Sequence, residues 1–364
     1  MPCLQSVCGV GQFRCVRPHA IGLGRTRTET RNHSSAPREV KALDALFILI
    51  SILTLCLYNV LIKKFPNKFI LFFLVNVFSY LGFLGIYFFR VFVLQHDLGA
   101  LHELIVNYTY QNVPLYVLIA FAFLGYMIVS EQLLNGYDVS LVIPIAQLGM
   151  LLASAGYIAL GDPFKWSLLL GLCVLCVGTV IISLAAIPSS STETIFARWK
   201  KVPKKLWLLT LLQAGFFILS ATLTYLGTKE TGRTEMIMAS LRRMHMGPVA
   251  FHSAFYFNLG QQFFSVTIST VYILARKKYR EGLLLSMETN LQYLLVAVLC
   301  YFIATYAYFM AFTMTKDTTI LLGLDNLSIP ITLLFAFLIL KEQLSSTKMF
   351  GSALIVLGGV IAAL

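Results

Sequence analysis

Long apolar segments alternate with short polar connectors over most of this sequence. Ten segments between residues 43 and 364 are apolar over a length suited to a membrane-spanning helix, which needs about 20 residues to cross the hydrocarbon core. The connectors carry prolines and glycines, which end helices, and charged side chains, which are stable only in contact with water or lipid headgroups. The predicted helices are 43–62, 69–94, 114–134, 138–160, 166–187, 205–227, 249–275, 289–315, 319–340 and 346–364. This pattern predicts an all-α integral membrane protein with ten transmembrane helices.

An internal repeat lies within this pattern. An acidic residue and two glycines seven residues apart recur at a constant offset of 180 residues: Asp162 with Glu342, Gly171 with Gly351, and Gly178 with Gly358. Each glycine pair lies on one helix face and permits close approach of a neighbouring helix, so the four glycines are predicted packing residues. Because each half contains an odd number of helices, the halves must cross the membrane in opposite senses. The sequence therefore predicts a five-plus-five inverted repeat.

The repeat defines the predicted domain organisation. The first repeat covers residues 43–187, a basic linker covers 188–204, and the second repeat covers 205–364. Residues 1–41 are different, because they combine seven basic residues with only two acidic ones and contain no continuous apolar stretch. They do not form a secretory signal. They are interpreted as a disordered basic tail, with an organelle transit peptide and an extension upstream of the true start as alternatives.

Composition supports a membrane protein over a soluble one. The chain is 58% hydrophobic and 12% charged, whereas a soluble domain is usually about 25% charged. A net charge of +12 would suggest nucleic-acid binding in a soluble protein. Here the bases lie in the tail and at the ends of apolar segments, which favours contact with lipid headgroups. The expected partners are therefore the lipid bilayer and a small-molecule substrate, with no nucleic acid and with a homodimer left open.

The last two helices of each predicted repeat resemble the sequence of a known family. Residues 320–364 contain a ninth helix with Pro330, the sequence Lys341-Glu342-Gln343-Leu344, and a glycine-rich tenth helix. This block is similar to the end of an EamA domain in the drug/metabolite transporter superfamily, and residues 138–186 resemble the same element. The resemblance implies ten helices around a central cavity that opens alternately to the two sides of the membrane. Members of such families carry amino acids, other metabolites, nucleotide sugars or drugs.

Asp325 is the strongest single candidate for a functional residue. It lies well inside the ninth apolar segment, where a carboxylate costs about 2.5–3.5 kcal/mol on insertion scales unless it faces a cavity or a partner. It is predicted to bind a cationic or zwitterionic group or to take up a proton. The alternatives are that it caps the backbone gap created by Pro330 or lies in water near the membrane surface. Asn326 and the repeat-related Gln147 are predicted to line the same cavity.

Further polar side chains at membrane depth extend the candidate site. Asn258, Gln261 and Gln262 fall on one helix face. The tyrosines Tyr301, Tyr306 and Tyr308 are candidates for stacking on a solute, with ordinary helix packing as the alternative. Hydrogen bonding between helices is the alternative for the amides. Other such polar groups, less strongly indicated, are Asn59, Asn76, Gln213, Thr222, Tyr225 and His252.

The missing motifs narrow the function. There is no Walker loop for ATP, no His-Glu-x-x-His, and no third ligand near His245 and His252, so no enzyme, metal site or cofactor is expected. No lysine or arginine falls clearly inside a span, which counts against phosphate-bearing substrates. The prediction is a secondary active transporter of metabolites, amino acids or drug-like cations, with proton coupling left open. A nucleotide-sugar or organic-anion transporter and a non-transporting scaffold are the alternatives.

The predicted location is a multi-pass position in a bacterial inner or plasma membrane. If residues 1–41 are a transit peptide, the location becomes an organelle membrane.

Overall fold

Helices make up all the regular secondary structure that the structure describes. The structure is a computed structural model that describes residues 37–95, 110–137, 139, 142, 152–185, 203–244, 254–289, 291–314, 327–342 and 345–363. The prediction of an all-α fold is confirmed for these residues.

The first half of the chain begins with two helices separated by Pro66. Asn67 ends this break, because its side-chain oxygen accepts a hydrogen bond from the Ile70 backbone N–H at 3.2 Å and so caps the second helix. The second helix continues as a π-helical segment over residues 89–95. Residues 152–159 are also helical. The helices of this half are α1 (Pro37–Lys64), α2 (Lys68–Phe88), α3 (Val113–Gly136) and α4 (Trp166–Ala185).

The second half contains long helices joined by short amphipathic ones. The helices are α5 (Lys204–Thr228), α6 (Gly232–Arg243), α7 (Ala254–Ala275), α8 (Lys277–Thr289), α9 (Leu291–Met314), α10 (Ser328–Phe335) and α11 (Ser346–Ala363). A reciprocal capping box between Thr231 and Thr234 starts α6. The sequence predicts no membrane span at α6, and there this capping box and the buried Met238 stabilise a short helix.

Five of the described helices have the length and apolar composition needed to cross a membrane. They are Leu46–Lys64, Lys68–Val93, Val113–Gly136, Lys204–Thr228 and Leu291–Phe312. Shorter apolar helices cover Trp166–Ile182, Ser328–Leu340 and Ser346–Ala362. Helix α7 is not among the five because Asn258, Gln261 and Gln262 lower its hydropathy. The ten-span inverted repeat therefore remains a prediction.

Helices α3 and α5 run antiparallel and pack directly against each other. On α3, Gly125 faces the ring of Phe216, and Ser130 accepts a hydrogen bond from the Gln213 side-chain amide at 2.8 Å. Residue numbers thus rise along α3 as they fall along α5. The C-terminal ends of the two helices consequently lie at opposite ends of the fold, which positions the two polar clusters described below.

Glycines make the contact between α4 and α11. A Cβ atom added to Gly171 would lie 2.5 Å from the backbone oxygen of Gly358, and one added to Gly178 would lie 2.7 Å from the backbone oxygen of Gly351. The two helices therefore approach backbone to backbone, in an antiparallel sense. The four glycines predicted as packing residues therefore contact each other across the two helices, Gly171 with Gly358 and Gly178 with Gly351.

Candidate functional site

A cavity of about 320 Å³ lies between α1, α2, α3, α5, α7 and α9. Its volume is at the lower end of the roughly 300–1,000 Å³ typical of small-molecule sites. The described residues that line it include Ser, Thr, Tyr, Asn and Gln but no Asp, Glu, Lys, Arg or His. Both predicted repeats contribute helices to the wall. The cavity is thus suited to one small organic molecule, and the described part of its wall offers hydrogen bonds without formal charge.

Most of the predicted site residues that the structure describes line this cavity. Asn258, Gln261 and Gln262 do so from α7, and Tyr301 and Tyr308 do so from α9. Helix α7 is central because α2, α3, α5 and α9 all pack against it.

One predicted tyrosine lies elsewhere. Tyr306 is not part of the cavity wall and packs in an aromatic cluster, with its ring 6.1 Å from that of Phe83 and 6.4 Å from that of Phe302. This packing corresponds to the alternative of ordinary helix packing, and a role of Tyr306 in solute binding stays a prediction. Tyr308, two residues further along α9, lines the cavity because two residues rotate a helix by about 200° and so bring the side chain to the other face.

Three of the strongest sequence candidates, Asp325, Asn326 and Gln147, lie outside the described residues. Their predicted roles stay predictions.

Hydrogen bonds divide the cavity amides into two groups. Gln261 is held on both sides, because its amide nitrogen donates to the Asn258 oxygen at 3.3 Å and its oxygen accepts from Thr224 at 3.1 Å. By contrast, one polar atom of each of four other cavity amides is buried with no hydrogen-bond partner among the described residues. These atoms are Asn76 Nδ2, Gln213 Oε1, Asn258 Nδ2 and Gln262 Oε1. An unpaired buried polar atom costs about 1–3 kcal/mol, so this arrangement is unfavourable for folding alone.

Sequence reasoning undervalued two of these four amides. Asn76 and Gln213 are isolated polar residues within apolar helices, and nothing in their local sequence separates them from amides that bond a neighbouring helix. The signal that marks them is burial without a partner: Asn76 is 4% exposed and Gln213 is 2% exposed.

Aromatic rings cover much of the remaining wall. The rings of Tyr58 and Tyr301 lie 5.0 Å apart at an angle of 53°, and Tyr308 stacks on Phe312 at 6.2 Å. Both pairs line the cavity. Such rings present flat apolar faces together with hydroxyl groups, a combination that binds flat, partly polar molecules.

A polar cluster lies at one end of the cavity; we call it the Lys63 cluster, and it comprises Lys63, Glu131, Lys278 and Tyr279. The Lys63 ammonium donates to the backbone oxygens of Leu134 at 3.3 Å and Tyr137 at 2.8 Å. It therefore ties the end of α1 to the C-terminal end of α3, where a cation is favourable. Leu134 itself lines the cavity.

Glu131 extends this cluster to α8. It is 6% exposed and accepts a hydrogen bond from the Tyr279 hydroxyl at 2.8 Å. Burial, reinforced by the bond to Glu131, raises the pKa of Tyr279, so the hydroxyl remains a donor. Lys278 lies 3.8 Å from Glu131 but is largely exposed, so it contributes little. Sequence analysis missed the hydrogen bond between Tyr279 and Glu131 because these residues lie 148 positions apart.

A second polar cluster lies at the opposite end; we call it the Lys229 cluster, and it comprises Asp162, Tyr225 and Lys229. Lys229 follows the C-terminus of α5, and its ammonium donates to the Phe312 backbone oxygen on α9 at 2.8 Å. The same ammonium lies 4.7 Å from the centre of the Phe312 ring, which lines the cavity. Burial lowers the pKa of Lys229, and the nearby Asp162 carboxylate opposes that shift.

Asp162 joins this cluster through Tyr225. The Tyr225 hydroxyl donates to the Asp162 carboxylate at 3.2 Å, and its ring stacks on the cavity residue Tyr157 at 4.7 Å. The turn before Asp162 requires glycine, since Gly161 has a φ of +109°. Asp162, which the sequence pairs with Glu342 in the internal repeat, thus also contributes to the packing at this end of the cavity.

Comparison with known proteins supports a membrane transporter. Residues 242–364 match the model of the EamA-like transporter family, which is consistent with the drug/metabolite transporter superfamily. This match confirms the resemblance seen in the sequence of the last helices. Together with the apolar helices, it points to a multi-pass integral membrane protein and suggests a transporter of small solutes.

Structural comparison supports the fold alone. One solved structure, described only as the crystal structure of a protein, is similar over 89% of this chain and 95% of its own, with a TM-score of 0.56 and 15% sequence identity. None of the curated proteins matches the chain.

Proposed function

Because residues 242–364 match the EamA-like transporter family, we propose that this protein is a secondary active transporter of small organic solutes that works by alternating access. The cavity is the observation that supports this most strongly. It is lined by α1, α2 and α3 from the first predicted repeat and by α5, α7 and α9 from the second. A site between two repeats is the position from which relative motion of the halves can expose a solute to either side.

The two polar clusters support alternation between the sides. Each uses a lysine at the end of a helix to hold a backbone carbonyl on another helix of the same predicted repeat: Lys63 binds the Leu134 oxygen of α3, and Lys229 binds the Phe312 oxygen of α9. Since α3 and α5 are antiparallel, the two clusters lie at opposite ends. Releasing one cluster at a time is a simple way to open one side while the other stays closed.

The cavity also bears on the alternative functions. A nucleotide-sugar or organic-anion transporter needs cations to neutralise its substrate, and none of the described lining residues is a cation. A membrane scaffold without transport activity would favour a tightly packed centre, whereas a cavity with unpaired amides lies here. A transporter of uncharged, zwitterionic or weakly cationic solutes is the function that the described residues favour.

Exchange transport in proteoliposomes tests the proposal. Purified protein is reconstituted into vesicles preloaded with one unlabelled solute, and uptake of the same radiolabelled solute is followed for a panel of amino acids, amines, nucleosides and nucleotide sugars. We expect saturable uptake of at least one uncharged, zwitterionic or cationic class above protein-free vesicles. Uptake of nucleotide sugars alone would favour the organic-anion alternative, and no uptake across the panel would contradict transport.

Asp325 is the proposed ionisable residue of the transport cycle, and its charge should set the pH dependence of uptake. In the same assay, Asp325→Asn is expected to abolish the difference in uptake between pH 5 and pH 8, because the amide cannot titrate. Asn326→Asp, which adds a carboxyl at the neighbouring position, serves as a matched comparison and should not restore the profile in the Asp325→Asn background. Wild-type uptake by Asp325→Asn at both pH values would show that Asp325 is structural.

A further inference from the structure

The four unpaired amide atoms of the cavity identify the chemistry of its ligand. Asn76, Gln213, Asn258 and Gln262 line the cavity and are each at most 4% exposed, and each has one buried polar atom without a hydrogen-bond partner among the described residues. Two of these atoms are N–H donors and two are oxygen acceptors. From them we infer that the cavity binds an uncharged, planar heteroaromatic solute of the nucleobase or nucleoside class, an inference that specifies the substrate class of the proposed transporter.

The balance of donors and acceptors favours this class. An amide turned by 180° exchanges its oxygen and nitrogen, so these four side chains can meet either kind of group but always need hydrogen-bonding partners. A ring with carbonyl oxygens, ring nitrogens and N–H groups on its edge supplies both kinds within one flat molecule.

The described residues of the cavity wall carry no charged side chain, which favours a neutral ligand. A buried ion without a countercharge is strongly disfavoured, and the described lining residues provide neither a carboxylate nor an ammonium group. A nucleoside satisfies this condition, whereas the corresponding monophosphate carries a dianion. The comparison between these two ligands therefore isolates charge while the ring stays the same.

The aromatic wall favours a flat ligand. Tyr58, Tyr301 and Tyr308 bring ring faces and hydroxyls to the cavity, beside Phe216 and Phe217. Stacking of a base on an aromatic side chain contributes about 1–3 kcal/mol and tolerates different bases. The amides would read the ring edge, and the aromatic residues would hold its faces.

Thermal unfolding of the purified, detergent-solubilised protein provides the first test. The probes are uracil, uridine and adenosine, with uridine monophosphate, choline and leucine as comparisons. Because a ligand that binds the folded state raises the melting temperature, we expect a concentration-dependent rise with uridine or adenosine and none with the monophosphate. Equal shifts with the monophosphate, shifts only with choline or leucine, or no shift with any heteroaromatic probe would each overturn the inference.

Substitutions distinguish recognition from general stability. Asn258→Leu and Gln262→Leu each remove an unpaired polar atom, so we expect about tenfold weaker nucleoside binding by both variants. Asn258→Leu also removes the oxygen that accepts a hydrogen bond from Gln261, so an unchanged or higher melting temperature of the ligand-free protein is expected for Gln262→Leu alone. Ser79→Ala is the matched control, because the Ser79 hydroxyl is also buried and unpaired among the described residues but does not line the cavity. It should leave binding unchanged. Equal weakening by all three variants would contradict recognition by the cavity amides.

The experiments can contradict the transport proposal and the inferred ligand class independently of each other. Nucleoside binding without exchange uptake would support the inference and contradict the proposed transport function. Uptake of an amine or amino acid without nucleoside binding would overturn the inference while the transport proposal stands.

Discussion

The variant Gly178→Ala is expected to unfold at a clearly lower temperature than the wild-type protein. An alanine Cβ at this position would lie 2.7 Å from the Gly351 backbone oxygen, 2.9 Å from Ile355 Cγ1 and 3.0 Å from the Ile355 backbone nitrogen. Backbone atoms cannot move aside as a flexible side chain can, so α4 and α11 must separate. Overpacking of this kind costs about 1–3 kcal/mol, and in a membrane it also removes the close packing that holds helices together.

Gly215→Ala is the matched control for this prediction. Gly215 also lies within a helix, α5, but a Cβ atom added there meets nothing within 4 Å. Alanine is favoured over glycine by about 1 kcal/mol in a helix interior, so this variant should unfold at the same or a higher temperature. The measurement is thermal unfolding of both detergent-solubilised variants. Equal melting temperatures for Gly178→Ala and wild type would contradict the backbone contact between α4 and α11.

The α4–α11 contact shows what the sequence can predict about this fold. The seven-residue spacing of glycines places them on one helix face, and that local geometry is enough to predict a packing role. The spacing does not identify the facing helix, because this depends on how the two halves meet. Gly178 faces Gly351, while in the sequence repeat its counterpart is Gly358. An antiparallel pairing of two similar helices reverses the order in this way.

The amides of α7 show a similar division. Their spacing predicts a shared polar face, and Asn258, Gln261 and Gln262 all reach the cavity. Sequence alone does not reveal that Thr224, on another helix, occupies the oxygen of Gln261 while the oxygen of Gln262 stays unpaired among the described residues. Hydrogen-bond satisfaction is a property of tertiary contacts, so the most informative atoms of the site become visible only in the structure.

Contacts distant in sequence were the hardest to predict. The bond from Tyr279 to Glu131 and the bonds from Lys63 and Lys229 to backbone carbonyls leave no periodic signal. The backbone carbonyls at the C-terminus of any helix can accept a hydrogen bond from a lysine ammonium, so the local sequence does not identify which helix is bound. The sequence predicts a polar connector at the segment that contains Tyr279, because the charged residues at the start of α8 outweigh its apolar residues in the local pattern.

Loss of each lysine contact is expected to open the cavity from one side, and the two variants should act on opposite sides. Lys63→Met and Lys229→Met keep the aliphatic stem but remove the ammonium that binds Tyr137 or Phe312. A hydrogen bond from a charged group contributes about 1.5–3 kcal/mol. Its loss should therefore favour the open form by about 10- to 100-fold, with the lower end expected because both lysines are only partly buried.

A cysteine at the cavity residue Ser220 reports this opening. The reporter is placed in a background whose seven native cysteines are replaced, and its labelling by a membrane-impermeant maleimide is timed in right-side-out and inside-out vesicles. Lys64, next to Lys63, and Lys205, at the N-terminal end of α5, are both exposed, so Lys64→Met and Lys205→Met control for the removal of a positive charge alone.

The pattern across the two vesicle types decides between a local and a global role for these lysines. If each lysine holds its own end closed, Lys63→Met accelerates labelling in one vesicle type and Lys229→Met in the other, whichever orientation the protein takes. A transporter needs this opposition, because a substitution that opened both ends together would create a channel. Acceleration by both variants in the same vesicle type, or by neither relative to the controls, would show that the clusters only stabilise the fold and would remove the support that they give to alternation.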